Sequence, residues 1–257
     1  MLRTGIQWVA RALLAYVGWL VITMGGGLVA TSGGKASLSD LVIHGVGLQF
    51  VGACLFLLAT IRFAGWPTLG FVAPEQAGWW KLLWLPTLMI AAFAGLAVKT
   101  GLPSASVILF VFINTALVGF SEETMFRGVL FQGFRKAMPV WAAIALSTIL
   151  FGAVHVLNGF VTGDFAAASV QAIAAGMSGL MYMALLIRTG SLWPPIVVHA
   201  LWDFCIFLSV SQESVAPRAA PTTLSDWLSH LGLALPSFLY GLFLLRRISQ
   251  NAVTQEK

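Results

Sequence analysis

Two adjacent carboxylates with a guanidinium four residues beyond the second, Glu122-Glu123-Thr124-Met125-Phe126-Arg127, form the densest chemistry in this chain. Neighbouring residues on a helix point about 100° apart, so Glu122 and Glu123 cannot do the same job. Glu123 stands four residues before Arg127, the favourable order for a helical ion pair, and that pairing neutralises one carboxylate. Glu122 is then the carboxylate left to face a bundle interior. Partly dehydrated there, it suits a general base acting on water. A second group is Phe151-Gly152-Ala153-Val154-His155 with Asn158, in which Phe151 and His155 share a helix face, as do His155 and Asn158. A third is His199-Ala200-Leu201-Trp202-Asp203. At that spacing imidazole and carboxylate lie on one face, with Cβ atoms about 5 to 6 Å apart. The pair can fix an imidazole tautomer, ligate a metal, or donate to a developing oxyanion.

Each group also has a structural reading. The acidic pair can be a charged helix end at the interface, and His155 a histidine satisfied within an apolar helix. His199 and Asp203 can form an interhelical hydrogen bond worth about 1 kcal/mol. Jointly, three carboxylates and two histidines spread over three apolar helices are hard to explain as packing. His44 and His230 serve as controls. Both open apolar runs at helix ends and read as structural or interfacial. Asp40, four residues before His44, reads as a helix cap at a boundary.

The elements that hold these groups follow from composition. Of 257 residues, 59% are apolar and 9% charged, and mean hydropathy is +0.91. A soluble domain carries about a quarter charged residues, so a soluble enzyme, a disordered chain and a secreted disulfide scaffold are excluded. The chain reads as one integral-membrane domain over residues 1–257, all-α, with a net charge of +5 that needs no nucleic-acid partner. Cys54 and Cys205 lie within apolar runs and read as small buried residues, with no disulfide or metal assigned.

A span needs about 20 mainly apolar residues, and about eight candidates are present. They are Val9–Ala30, Leu41–Ile61, Leu82–Val98, Ser104–Phe120, Val140–Leu157, Phe165–Ile187, Leu192–Val210 and Trp227–Leu245. The fourth carries a helical pattern on to about Phe134. Pro86 and Pro194-Pro195 predict kinks or late starts in the third and seventh. The first is too long for a signal-peptide core and reads as a retained span. The longest link, Ser211–Asp226, is too short for an extramembrane domain, so the bundle itself carries any chemistry. With eight spans, Arg3, Arg11, Arg62, Lys81, Arg135, Lys136, Arg188, Arg246, Arg247 and Lys257 share one side, against Lys35, Lys99 and Arg218. The positive-inside rule then makes both termini cytoplasmic.

Ionisable groups within spans cost about 2.5 to 3.5 kcal/mol on insertion scales and are functional by default. The three groups, in this order, resemble the signature of the CPBP intramembrane protease family, which comprises CAAX prenyl endopeptidases and bacteriocin-processing (Abi) enzymes. That signature is Glu-Glu-x-x-x-Arg, Phe-x-x-x-His and His-x-x-x-Asn/Asp, present as EETMFR, FGAVH and HALWD. The motif core covers approximately residues 104–210, and the first three helices match only in being hydrophobic.

The resemblance implies a polar cavity between the motif helices and hydrolysis of a peptide bond in a membrane-associated, in some cases lipidated, peptide or protein. It implies that Glu122 and His155 activate water. His199 and Asp203 would support the oxyanion or help bind a metal. Glu123 and Arg127 would be partly architectural, with Phe151 and Asn158 supporting. The eukaryotic members look like Asn at position 203; an ionised Asp there suits a metal ligand or a partner of His199. A divalent metal such as Zn²⁺, with Glu122, His155 and His199 as candidate ligands, stays open beside a metal-free glutamate mechanism. No organic cofactor is expected. The expected location is the plasma membrane, with the cavity opening to the cytoplasm. Two other classes stay open: a proton- or ion-coupled transporter using the same groups as a relay, and a non-catalytic immunity or scaffold protein. Measured along the helices, His199, Glu122 and His155 stand about 10, 20 and 25 Å from the basic end. They must converge within about 12 Å to form one site.

Overall fold

The computed structural model describes residues 2–66, 69–210 and 224–248, and among these there is no β-strand. The chain runs as α1 (Leu2–Ala30), a short α2 (Asp40–Ile43), α3 (Leu48–Phe63), α4 (Trp84–Thr100), α5 (Ala105–Glu123), α6 (Phe131–Arg135), α7 (Val140–Val154), α8 (Asn158–Thr162), α9 (Phe165–Thr189), α10 (Trp193–Val210) and α11 (Leu224–Leu245). Five continuous helical stretches are long and apolar enough to cross a membrane: Thr4–Ala30, Trp79–Thr100, Ala105–Arg135, Val140–Thr162 and Phe165–Thr189. Leu48–Phe63, Trp193–Ser209 and Leu231–Leu245 are apolar but shorter. Large aliphatic and aromatic side chains such as Leu14, Val29, Leu48 and Phe63 cover the outside. The groups buried inside include Asn114, Glu123, Arg127 and His199. An apolar exterior over a partly polar interior is the arrangement that lipid favours.

The helices pack chiefly as α9 against α11 and α7, α10 against α5 and α4, and α1 against α3. Close approach requires glycine where α5 crosses α10. A Cβ at Gly119 would stand 2.9 Å from the backbone nitrogen of Ala200. The prolines act as late starts. Pro86 lies in the first turn of α4, behind the 3₁₀ turn Trp79–Leu83, and Pro194-Pro195 lie in the first turn of α10. There the missing N–H leaves no helical bond unmade.

Two elements depart from the expected spans. Leu41–Ile61 is broken at Gly45–Gly47, and the break is held by buried Asn114 of α5. Its amide nitrogen donates to the carbonyls of Val42 (3.0 Å) and Gly45 (2.7 Å), and its oxygen accepts from Gly47 N–H at 2.9 Å. One side chain thus satisfies three backbone groups that a continuous helix would have bonded itself. In the fourth span, α5 passes into a π-helical stretch, Thr124–Leu130, before α6. The Phe126 carbonyl there accepts the Ser147 hydroxyl of α7 at 2.5 Å. Asp40 is bonded by the Ser37 amide and hydroxyl, ahead of its 3.8 Å approach to His44. Arg218, Lys257, most of the Ser211–Asp226 link and the side chains of Arg3 and His230 lie outside the described residues.

Candidate active site

The acidic pair splits as the helix geometry requires. Glu123 and Arg127 are both fully buried, with Glu123 Oε1 3.0 Å from Arg127 Nη1. Arg127 Nη2 donates to the Gly179 carbonyl at 2.9 Å, and the guanidinium lies 4.0 Å from the Phe151 ring centroid and 5.4 Å from that of Tyr182. A buried cation keeps its charge only when paired and hydrogen-bonded, and here one anion, one carbonyl and two aromatic rings supply that. Gly179 is fixed by the same packing. A Cβ there would stand 2.7 Å from the Phe151 ring and 2.8 Å from Arg127 Nη2.

Glu122 faces the other way. It borders a cavity of about 490 Å³, and its Oε2 is buried with no hydrogen-bond partner. Trp19 contributes a second unpartnered buried group, its indole N–H, to the same cavity. Buried polar atoms are nearly always satisfied. An orphan acceptor and an orphan donor on one cavity therefore mark a place for a polar ligand.

His199 closes the cavity between the carboxylates. Its Nδ1 donates to Glu123 Oε1 at 2.8 Å, and its Nε2 stands 3.4 Å from Asp203 Oδ2 and 3.8 Å from Glu122 Oε2. The ring stacks on Tyr182, with centroids 4.9 Å apart and planes inclined by 16°. His155 begins the 3₁₀ turn that ends α7, and its Nδ1 donates to the Phe151 carbonyl at 2.8 Å. A carbonyl can only accept, so the proton sits on Nδ1 and Nε2 carries the lone pair. The Phe151 ring stands edge-on between the two imidazoles, 5.1 Å from His155 and 5.9 Å from His199. The histidines are thus within the ~12 Å that one site requires. Asn158 lines the cavity beside them, bonded through Nδ2 to Gln171 Oε1 at 2.9 Å.

All eight residues singled out in the sequence thus meet around one cavity or directly beneath it. Tyr182, Gln171 and Trp19 were not singled out. Tyr182 and Gln171 carried a signal, a hydroxyl and an amide within an apolar span, the same sign that drew attention to His155. Among the described residues no three His, Cys, Asp or Glu side chains are gathered as a metal-ligand group. The Nδ1–H of His199 bonded to Glu123 leaves Nε2 facing Glu122 and Asp203, which is also how an imidazole is oriented when it serves as a metal ligand.

The cavity lies toward the end of the bundle opposite the basic residues. Its lining comes from Trp19–Gly27 of α1, the α1–α3 connection, the start of α3, Val118–Glu122 of α5, Phe151–Val161, Ala167–Tyr182, His199–Phe207 and Leu233–Ala234 of α11. None of it belongs to the end of the bundle that bears the basic residues. The reason is packing. Below the Glu123–Arg127 pair the space is filled by fully buried Met125, Phe126, Leu130, Ile144, Met183 and Leu185.

Residues 103–205, which hold all three motif blocks, match the family model described as type II CAAX prenyl endopeptidase Rce1-like. No curated protein and no solved structure matches the chain. The match and the apolar helices point to an integral membrane protein whose motif core resembles a protease family.

Proposed function

We propose that this protein is a membrane endopeptidase that hydrolyses a peptide bond of a membrane-associated peptide or protein within the cavity. The observation that carries the reading is Glu122, an unpartnered carboxylate beside an imidazole oriented by a second carboxylate. A water held between Glu122 and the bare Nε2 of His155 would lose a proton to Glu122 while its oxygen adds to the scissile carbonyl carbon. The Nε2–H of His199 would support the oxyanion. The C–N bond then breaks, and the proton passes from Glu122 to the leaving nitrogen. Glu123 and Arg127 position His199, and the Asp203 carboxylate, 3.4 Å from Nε2, favours the charged imidazolium while the Nε2–H turns to the oxyanion. An Asn at position 203 could offer the oxyanion its own N–H, whereas this Asp serves as partner to the histidine.

The family match supports hydrolysis, since the Rce1-like description is that of an endopeptidase. The filled core beneath Arg127 also gives a transport relay no continuation toward the basic end. The test compares the termini of membrane proteins in cells carrying the wild type or Glu122→Gln. Termini that vanish in the variant, and with His155→Ala, are the expected result. Unchanged termini in both remove the protease reading. Processing that persists in a strong chelator fits the side-chain mechanism, and processing restored only by added Zn²⁺ replaces it.

A further inference from the structure

Contacts between the five long and three shorter apolar helical segments among the described residues show which ends lie together. Gly5 of α1 lies against Lys136, Trp8 packs on Trp66 just past α3, Leu192 N–H donates to Gly70, and Arg188 donates to the Leu244 carbonyl. One end of the bundle therefore gathers Arg62, Lys81, Arg135, Lys136, Arg188 and Arg246. At the opposite end Gly27 meets Val161, and Lys35 donates to the Phe160 carbonyl at 2.7 Å. Among the described residues that end carries only Lys35 and Lys99 as basic groups.

The cavity belongs to this second end. Leu38, Leu41 and Val42 of the α1–α3 connection line it, as do Val161 and Ala167 beside the α8–α9 connection. His199 stands six residues, about 10 Å at 1.5 Å per residue, from the basic start of α10, yet Leu69, Leu186 and Leu192 at that end are buried and none of them lines the cavity. Basic residues next to membrane spans are retained on the cytoplasmic side. From these two facts we infer that the cavity faces the non-cytoplasmic side of the membrane. Its substrate is then an exported or membrane-anchored chain presented from outside the cytoplasm, rather than a lipid-modified cytoplasmic tail. The orientation rests on charge and cavity position alone; the substrate class rests in addition on the endopeptidase reading.

Site-directed thiol labelling tests it. With Cys54 and Cys205 replaced by Ala, single cysteines are placed at exposed Lys99 at the end of α4, exposed Ser37 in the α1–α2 connection, and exposed Ala137 in the turn between α6 and α7. A membrane-impermeant maleimide is applied to intact cells and to permeabilised cells. Complete labelling of Lys99→Cys and Ser37→Cys in intact cells, with Ala137→Cys labelled only after permeabilisation, is the expected result. Labelling of Ala137→Cys from outside, or of the other two only after permeabilisation, overturns it. The cysteine-containing parent, in which both native thiols are buried, reports whether their replacement disturbed the fold. Labelling needs no turnover. Correct labelling with no Glu122-dependent termini keeps the orientation and removes the endopeptidase, while reversed labelling with Glu122-dependent cleavage does the opposite.

Discussion

Along α9, Met181 to Leu185 are packed among Phe126, Phe151 and Ile144, while Ala167, Val170, Gln171, Ala174 and Ser178 of the same helix border open space. Neither stretch is more helical than the other. The difference is side-chain volume and the partners offered by neighbouring helices. On one side, Leu, Met and Phe fill the bundle and hold the Arg127 guanidinium in a closed set of partners. On the other, Ala, Ser and Gly leave a cavity into which Glu122 and the two histidines look. The boundary passes between Glu122 and Glu123, adjacent in sequence: Glu122 Oε2 has no hydrogen bond and stands 3.8 Å from His199, whereas Glu123 Oε1 is hydrogen-bonded to both Arg127 and His199. A single peptide unit separates the carboxylate bonded within the packed core from the one that borders the cavity.

Arg127→Met is expected to have the largest effect on this division. It leaves Glu123 buried without its counter-charge, which costs about 3 to 5 kcal/mol, read as a lower Tm or loss of monodisperse protein in detergent. Arg127→Lys should recover only part of it, because an ammonium cannot reproduce the planar fork reaching Glu123 and Gly179. Glu122→Gln should lower processing by about 10²- to 10⁴-fold at unchanged Tm; a large fall in Tm would move Glu122 to the packed side of the boundary. Gly179→Ala should cost about 1 to 3 kcal/mol through overpacking against Phe151 and Arg127. By contrast, Gly176→Ala, one turn away, should be nearly neutral in thermal unfolding, since its Cβ would find its nearest neighbour at 3.8 Å. Smallest is Asn158→Ala, which removes the bond to Gln171 on the cavity side. It should shift unfolding by only about 0.6 kcal/mol, with any larger change appearing in processing.

What could be read from the sequence was what helix geometry alone decides. The 100° step separates Glu122 from Glu123, and the four-residue step joins Glu123 to Arg127 and brings His199 within reach of Asp203. Contacts between distant segments could not be read. The shorter bond of His199 goes to Glu123, 76 residues away, and the break before α3 is held by Asn114 from another helix. Span length was legible only where the apolar run is unbroken. Gly45 and Gly47 interrupt the second run and leave 16 helical residues in α3, about 24 Å against a hydrocarbon core of about 30 Å. The position of the cavity depends on residues contributed by helices all along the chain, from α1 to α11, and no single helix carries that information.

The π-helical stretch Thr124–Leu130 makes the length of this segment a constraint of its own. A wide turn of this kind arises where one residue is accommodated beyond regular winding. Winding all of these residues as an ordinary α-helix would instead rotate the acidic pair by about 100° relative to Phe131–Arg135, so the wide turn keeps the two flanks in phase. Libraries built to change what the cavity accepts can vary residue identity along α9, but further insertions between Glu123 and Phe131, which the wide turn has already absorbed once, should be selected against even when every side chain at the site is kept.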